Sequence, residues 1–317
     1  MEAELLYAAD AALVLGEPLA VRCAAGELVR IRRGVYVATS AWQAMPRWER
    51  DRLRILAALE AGDGSRVLIQ QSAAVIWGIP VVRPQSEILL LASDASHGRR
   101  RGEVRWAARK LLQPLTSHTG VNLTSRAQTV IDMAAYLPFQ QAVPALDHVL
   151  RPDPGRGFQP LTKEHLHAVA ERLPDRAKHR RASRVIDFAD ARSESPGESF
   201  SRAVLHDHGF AAPELQQEFY SPAGQLLGRT DFYWREQRLV GEFDGAVKYG
   251  RGMTTPDARS LPAWEILTRE KRREDDIREM GVAFVRWSWP DITKPAHDSG
   301  SLVQRLIRAG VPRNRPH

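Results

Sequence analysis

The chain has 317 residues, of which 45 are lysine or arginine and 38 are aspartate or glutamate, giving a net charge of +7. This length allows two or three domains, and the single cysteine, Cys23, excludes an internal disulfide framework and a multi-cysteine zinc site. No apolar run approaches a membrane span and the acidic start lacks the basic region of a signal peptide, so we expect a cytoplasmic protein with no membrane partner. The positive charge favours a polyanionic partner, most simply DNA.

The first 45 residues predict a winged helix-turn-helix domain. The segment LLYAADAALVLG has helical spacing and ends at Gly16, and PLAVRCAAG predicts a second helix between Pro18 and Gly26. The segment ELVRIRRGVYV predicts a basic hairpin with Gly34 at its turn. In this interpretation Arg22 lies on the recognition helix, and the arginines of the wing contact phosphates. These wing residues are Arg30, Arg32 and Arg33. The alternative is an ordinary hairpin with solvated arginines.

Residues 46–190 predict a mixed α/β and helical region. RWERDRLRILAALEAG predicts an amphipathic helix, VLIQQSAAVIWGIP a strand followed by a short helix, and SEILLLAS a buried strand. HGRRRGEVRWAARK predicts a basic hairpin, and GVNLTSRAQTVIDMAAYLP a strand followed by a helix capped by Thr124 or Ser125. The Pro- and Gly-rich segment 151–160 predicts a loop, and helices interrupted at Pro174 follow it.

Three of these segments, in this order, resemble the AbiEi family of antitoxins from type IV toxin–antitoxin systems: ELVRIRRGVYV, QQSAAVIWGIP and GVNLTSRAQTVIDMAAYLP. The resemblance covers about residues 1–150. It implies a winged-helix DNA-binding domain, a second domain that contributes to regulation, and a cognate toxin encoded nearby. Arg126 is shifted from the position directly before Thr129 where the family pattern has an arginine, so we interpret Arg126, Thr129 and Asp132 as a capped helix start and its neighbours.

The stretch GRTDFYWREQRLVGEFDG, residues 228–245, places three acids inside two β-prone runs. A hairpin with its tip at residues 236–237 sets Asp231 opposite Glu242 and brings Asp244 to the same face. The opposite face is predicted to be the core face. It carries Phe232, Trp234 and Phe243.

Carboxylates that face each other repel, so something must offset the repulsion between Asp231 and Glu242. The residues leave several explanations open. One carboxyl is protonated, Arg229 is the counter-charge, or a divalent cation is bound. In the plainest alternative, Asp244 ends the strand, Glu242 pairs with an arginine, and no metal is bound.

The predicted order α-β-β-β-α-β over about residues 195–295 resembles the PD-(D/E)XK nuclease fold, and more narrowly the very-short-patch-repair endonucleases. The motifs that carry the resemblance are DFYW, EFDG, the basic helix REKRREDDIREMG, and VRW. A restriction-endonuclease-like domain is therefore expected at 195–317.

The resemblance implies roles for individual residues. Asp231 and Glu242 would bind Mg²⁺ or Mn²⁺, and Glu198 at a helix start would complete the metal shell or hold a water. Asp244 stands where the family has a lysine, and Lys248 either supplies that cation or is a solvated loop residue. The basic helix that follows would neutralise flanking phosphates. Its residues in that role are Lys271, Arg272 and Arg273.

These expectations amount to an α+β or α/β multidomain protein with domains at 1–45, 46–190 and 195–317. Two functions follow from them. One is a DNA-binding, Mg²⁺-dependent endonuclease, which the intact Asp231 and Glu242 favour. The other is a transcriptional repressor or antitoxin whose nuclease-like domain is catalytically inactive, which Asp244 at the lysine position favours.

Overall fold

The computed structural model describes most of the chain, in six segments: 5–8, 18–60, 65–83, 86–92, 98–245 and 263–313. The chain forms two compact units. Unit 1 comprises residues 1–137 and 161–187, and unit 2 comprises residues 138–160 and 188–317. Both units combine helices with a sheet or sheets, so the predicted mixed α/β multidomain architecture is confirmed. None of the described helices is long and apolar enough to cross a bilayer.

Twelve helices and thirteen strands are found in the described segments. The helices are α1 (Leu19–Ala24), α2 (Thr39–Ala44), α3 (Arg47–Glu60), α4 (Gln70–Trp77), α5 (Arg126–Tyr136), α6 (Phe139–Val149), α7 (Lys163–Ala170), α8 (Arg176–Phe188), α9 (Pro196–Asp207), α10 (Ala263–Glu279), α11 (Trp289–Thr293) and α12 (Leu302–Arg308). The strands are β1 (Leu6–Tyr7), β2 (Leu28–Arg32), β3 (Val35–Ala38), β4 (Val67–Leu68), β5 (Ile88–Leu91), β6 (Arg100–Arg101), β7 (Val104–Ala107), β8 (Thr116–His118), β9 (Val121–Leu123), β10 (Glu214–Tyr220), β11 (Leu226–Trp234), β12 (Leu239–Asp244) and β13 (Ala283–Ser288).

The N-terminal part of unit 1 is a three-stranded sheet in the order β1-β3-β2. The predicted hairpin of β2 and β3 is confirmed. The helix predicted for residues 5–16 is wrong at Leu6–Tyr7, which pair as β1 with Tyr36 and Val35 of β3. Isolated short helices are marginal, and here a neighbouring strand supplies the backbone hydrogen bonds instead. Residues 9–16 of that prediction lie outside the described segments.

The rest of unit 1 is built on a six-stranded mixed sheet in the order β6-β7-β5-β4-β9-β8. The predicted strands, the basic hairpin of β6 and β7, and helices α3, α4 and α5 are confirmed. Ser125 caps α5 by accepting a hydrogen bond from the Gln128 N–H at 3.1 Å. Leu68, Leu90 and Leu123, one from each of three adjacent strands, are at most 1% exposed, so the centre of this sheet is its core.

Unit 2 includes α6, which the sequence assigned to the middle region. The carboxylate of Asp147 on α6 is fully buried and lies 2.9 Å from the guanidinium of Arg202 on α9. Asp147 also accepts a hydrogen bond from the Asp190 backbone N–H. A buried ion pair of this kind ties α6 to α9, so the compact units do not follow the linear order of the predicted domains.

The sheet of unit 2 has the order β10-β11-β12-β13, with β12 and β13 parallel. Together with α9 and α10, these strands follow the predicted order α-β-β-β-α-β. The predicted hairpin register is confirmed, because Tyr233 pairs with Val240 and the turn closes with the Arg238 N–H donating to the Arg235 carbonyl. The predicted tip at residues 236–237 therefore lies in the middle of the turn.

Both faces of this sheet are buried, and the prediction of a single core face is wrong. On one face the rings of Phe232 and Trp287 lie 5.3 Å apart. On the other face Tyr233 and Val240 pack against Ile277 of α10. A parallel pair of strands needs a crossover connection, usually a helix, and this helix covers the face that carries the acids.

Candidate functional site

The acids of residues 228–245 lie on β11 and β12 of unit 2, and Glu242 is the most buried of them. Its side chain is 10% exposed. Arg273 of α10 donates a hydrogen bond to Glu242 Oε1 at 2.7 Å, and Arg286 Nη2 of β13 lies 2.7 Å from Oε2. Each carboxylate oxygen therefore has its own guanidinium. Of the alternatives that the sequence left open, the pairing of Glu242 with an arginine is confirmed.

Arg286 lies at the centre of a wider ion-pair network. Its guanidinium reaches Glu274 at 2.8 Å and Asp244 at 3.7 Å, besides Glu242. Burial alone would lower the pKa of Arg286, but the carboxylates of Glu242, Asp244 and Glu274 raise that pKa above its ordinary value. Arg286 therefore stays charged and holds the acids together. Arg229, the counter-charge considered from the sequence, instead pairs with Glu194 at 2.7 Å.

The other predicted ligands also have protein partners. Asp231 Oδ2 accepts a hydrogen bond from the Phe243 backbone N–H at 2.9 Å. Glu198 lies in the first turn of α9, as predicted, and its Oε2 accepts hydrogen bonds from the Glu194 N–H and from Gln216. Burial raises the pKa of Glu198. Both side chains thus serve as hydrogen-bond acceptors within the fold.

Helix α9 approaches β12 very closely at Gly197. A Cβ atom on Gly197 would lie 1.9 Å from the ring of Phe243, so only glycine fits there. This contact sets the first turn of α9, with Glu198, beside the acid-bearing strand. The sequence placed Glu198 correctly on the helix but could not show that contact.

The predicted metal ligands Asp231 and Glu242 have protein partners in this arrangement. Mg²⁺ and Mn²⁺ require several available oxygen ligands, whereas both Glu242 oxygens are taken by arginines. No group of three or more His, Cys, Asp or Glu that could hold a metal occurs in the part of the chain that the structure describes. Lys248, the predicted substitute for the family lysine, lies outside the described residues.

The three residues of α10 that were predicted to contact phosphates lie in two different environments. Lys271 and Arg272 are exposed. Arg273 turns inward, to Glu242 and to the Arg229 carbonyl at 2.9 Å. Trp287 of β13 is 1% exposed and donates a hydrogen bond to Ser201, so it belongs to the core.

A second candidate site lies in unit 1, where two basic hairpins that are distant in sequence face one cleft of about 600 Å³. We call it the arginine cleft. The turn after β2, the segment before β4, and strands β6 and β7 contribute its walls. Its lining residues are Arg32, Arg33, Arg66, Arg99, Arg100, Arg101, Val104 and Trp106.

Two of these arginines are fixed by the end of helix α3. Arg32 donates to the Ala57 carbonyl at 3.2 Å, and Arg66 donates to the Ala58 carbonyl at 2.5 Å. Carbonyls in the last turn of a helix lack intrahelical partners and carry partial negative charge, which favours cations there. The fold thereby holds both guanidinium groups in place at the cleft.

The arginine cleft contains no carboxylate among its lining residues. Glu87, beside it, pairs with Arg100 at 3.4 Å and with Arg105 at 3.3 Å. Within the described segments no acidic side chain pairs with Arg33 or Arg101. Six guanidinium groups around one cleft repel each other and create a positive potential focused by the concave surface.

The predicted wing is only partly involved in this cleft. Arg32 and Arg33 line it, whereas Arg30 is exposed and bonds its own hairpin through the Arg32 carbonyl. Arg22 of α1 pairs with Glu27 at 2.9 Å. The sequence identified the basic hairpin of β6 and β7 but assigned it no role. Its run of three arginines near a tryptophan, Arg99-Arg100-Arg101 and Trp106, is the signal that could have revealed it.

One further buried carboxyl lies in unit 1. Asp132 on α5 is 1% exposed, and its Oδ2 has no hydrogen-bond partner in the described residues. Burial raises the pKa of Asp132 to about 7, against an opposing effect of the nearby Arg109 guanidinium. Arg109 stacks over the ring of Tyr136 at 3.6 Å. The sequence interpreted Asp132 as structural, and its burial inside the helical layer agrees with that.

Comparison with known proteins gives distant likenesses. No family model matches the chain. The uncharacterized proteins MT2308 and Rv2248, from two strains of Mycobacterium tuberculosis, are each 29% identical to it over 293 residues, which is 92% of this chain and 96% of theirs. The solved structure of the Rv2827c protein from Mycobacterium tuberculosis matches 69% of this chain and 84% of its own, with 16% identity and a TM-score of 0.36.

Proposed function

We propose that the protein binds DNA, and that the arginine cleft of unit 1 is its contact with the phosphate backbone. The observation that carries the proposal is the convergence of six arginines on one cleft whose lining includes no carboxylate. Like charges gathered in this way destabilise a fold unless a partner neutralises them. Guanidinium groups are well suited to this, because their planar forks bind phosphate oxygens in pairs.

The position of the cleft favours nucleic acid over a small anion. It is formed partly by the tip of the β2–β3 hairpin, the predicted wing, through Arg32 and Arg33. In winged helix-turn-helix proteins the DNA lies against such elements. The resemblance of residues 1–150 to AbiEi antitoxins supports the same function.

Salt dependence tests this proposal. Changing Arg99, Arg100 and Arg101 to glutamine should reduce the slope of log K against log salt by about 0.9 per lost phosphate contact, hence by up to about 2.7. A matched control removes three exposed arginines from the same unit, on α8. These are Arg176, Arg180 and Arg181. The proposal is wrong if both triple variants change the slope equally, or if neither does.

We further propose that unit 2 is a binding module without catalytic activity, which makes the protein a regulator of the repressor or antitoxin class. The support is the pairing of Glu242 with Arg273 and Arg286, because a carboxylate neutralised on both oxygens is a poor metal ligand. A nucleotidyltransferase-like toxin encoded by the adjacent gene would agree with this proposal.

A Mg²⁺- or Mn²⁺-dependent endonuclease is the second candidate. It is favoured by the observed register of β11 and β12, which sets Asp231 and Glu242 on neighbouring strands. For this function, Glu242 would have to exchange its two arginines for a cation.

Metal titration separates these two functions. For the regulator, neither Mg²⁺ nor Mn²⁺ raises the melting temperature of the wild type, and a supercoiled plasmid stays intact. For the endonuclease, the metal stabilises the native state by linkage, and Asp231→Asn abolishes both that stabilisation and plasmid cleavage. The Asp244→Asn variant is the control for a general loss of negative charge, since Asp244 is about half exposed.

A further inference from the structure

Trp106 of β7 belongs to two adjoining clefts of unit 1. It lines the arginine cleft, and it also lines a neighbouring cleft of about 470 Å³. Arg99 and Arg100 are shared by both clefts as well. The two clefts therefore adjoin at the Trp106 indole, and most of the charged residues that line them are arginines.

The backbone holds this tryptophan rigidly. Trp106 is paired with Leu90 in the parallel ladder of β5 and β7, and the Trp106 backbone N–H donates a hydrogen bond to the Arg99 carbonyl at 2.8 Å. The guanidinium of Arg99 lies over the indole ring, 4.3 Å from its centroid. Proteins that bind single-stranded nucleic acid combine a positive groove with fixed aromatic side chains of this kind, on which bases stack.

The concave shape indicates which form of nucleic acid fits around Trp106. Bases inside a duplex are reached by convex elements, such as a helix or a hairpin inserted into a groove. An indole that lines a cleft cannot reach bases that are stacked and paired inside a helix. A cleft of about 600 Å³ is within the size range of small-molecule sites, and it can receive a nucleotide that has left the stack.

We propose that the arginine cleft holds an unpaired nucleotide of the bound DNA. The base stacks on Trp106, with Arg99 moving from the indole to the outer face of the base, while Arg33 and Arg101 bind the flanking phosphates. This inference rests on the proposed DNA binding and adds the conformation of the DNA that is preferred. Cation–π and stacking contacts carry no base specificity, so the preference is for an unpaired base of any sequence.

Fluorescence anisotropy with four labelled probes of equal length tests the inference. Two probes are a duplex and a single strand. The third is the same duplex with a central four-nucleotide mismatch bubble. The fourth has no base in the bubble, because one strand carries abasic sites there and the opposite strand has a gap. The wild type should bind the bubble and the single strand about 10-fold or more tighter than the duplex, since one stacked base contributes about 1–3 kcal/mol. The abasic probe should lose most of this advantage.

Substitution of the tryptophan gives the second measurement. Trp106→Ala should lower the ratio of bubble affinity to duplex affinity by about 10-fold, whereas Trp106→Phe should keep part of the preference. Trp48→Ala is the matched control, because Trp48 is a 59% exposed tryptophan of the same unit that lies outside both clefts. Trp106→Phe keeps the test valid if the alanine variant unfolds.

The outcomes separate this inference from the proposed function. If no probe shows salt-dependent binding, the proposed DNA binding is wrong. If all probes bind but the bubble has no advantage, or if Trp106→Ala weakens duplex and bubble equally, only the unpaired-nucleotide inference is wrong. Competition by a free mononucleotide as strongly as by the single strand would also overturn it, in favour of a small-molecule site.

Discussion

The arginine cleft of unit 1 and the acidic strands β11 and β12 of unit 2 differ in how their charged side chains are compensated. Around Glu242 each carboxylate oxygen has a guanidinium partner, and Arg286 joins several acids into one network. Around Arg33 and Arg101 the fold gathers charges of one sign. In unit 2 the acidic and basic side chains neutralise each other inside the fold. In unit 1 the arginines of the cleft produce a positive potential that a bound anionic partner would neutralise.

This contrast separates structural charge from functional charge. A paired, desolvated ion stabilises only in the presence of its partner, so removing one member is costly. A charge in a cluster of like charges repels its neighbours, so removing it should stabilise the fold and weaken DNA binding. The two regions should therefore respond to charge removal with opposite signs.

The largest expected effect is in unit 2. Glu242→Gln should destabilise the protein by about 3 kcal/mol, because it removes the buried carboxylate that neutralises Arg273 and leaves Arg286 with only Glu274 and Asp244. Urea denaturation at neutral pH measures this, and DNA affinity should remain unchanged. Repulsion between Asp231 and Glu242, inferred from the sequence, would give the opposite sign.

Asp244→Asn is the control for that experiment. Its carboxylate is 47% exposed and lies 3.7 Å from Arg286, so its loss should change stability by less than about 0.5 kcal/mol. Equal effects of the two substitutions would contradict the distinction between a buried and a surface member of the network.

The next largest effect concerns Asp132, the buried carboxyl of unit 1. Unlike Glu242, Asp132 is not held between two arginines. Because burial raises the pKa of Asp132 from 3.8 to about 7, the folded state holds a proton that the unfolded state has lost. Its contribution to stability is full below about pH 4 and is lost as pH rises through 7. Asp132→Asn, which cannot ionise, should gain about 2 kcal/mol relative to wild type between pH 5 and pH 8.

Thermal melts at pH 5 and pH 8 measure this difference. Asp175→Asn is the control, since the backbone N–H groups of Lys178 and Ala177 lower the pKa of the exposed Asp175, and its titration falls below this window. A pH dependence that is the same in Asp132→Asn and wild type would show that Asp132 is ionised throughout the range.

The smallest effect is in the arginine cleft itself. The double variant Arg33→Gln, Arg101→Gln should stabilise the protein by roughly 0.5 kcal/mol, because it relieves repulsion among the lining arginines. Its DNA affinity should fall, most strongly at low salt. Denaturation and anisotropy on the same preparation give both values. Lower stability together with unchanged affinity would place these arginines with the structural charges of unit 2.

The hairpin of residues 228–245 shows how much the sequence could predict. Alternation of side chains and a polar turn fixed its register, and Tyr233 pairs with Val240 as expected. The β2–β3 hairpin and the Ser125 cap of α5 follow from equally local signals. The exception is Leu6–Tyr7, a strand inside a helical pattern, because a two-residue strand is decided by its partner and not by its own residues.

The sequence by itself thus determined most helices and strands, the positions of the acids, and the net positive charge. Only the tertiary structure decided which charges meet. Arg286 reaches Glu242 because β12 and β13 run side by side, and Arg33 meets Arg101 because two hairpins face one cleft. The physical reason is that periodicity and capping act over a few residues, whereas an ion pair depends on a distance of a few ångströms that long-range packing alone sets.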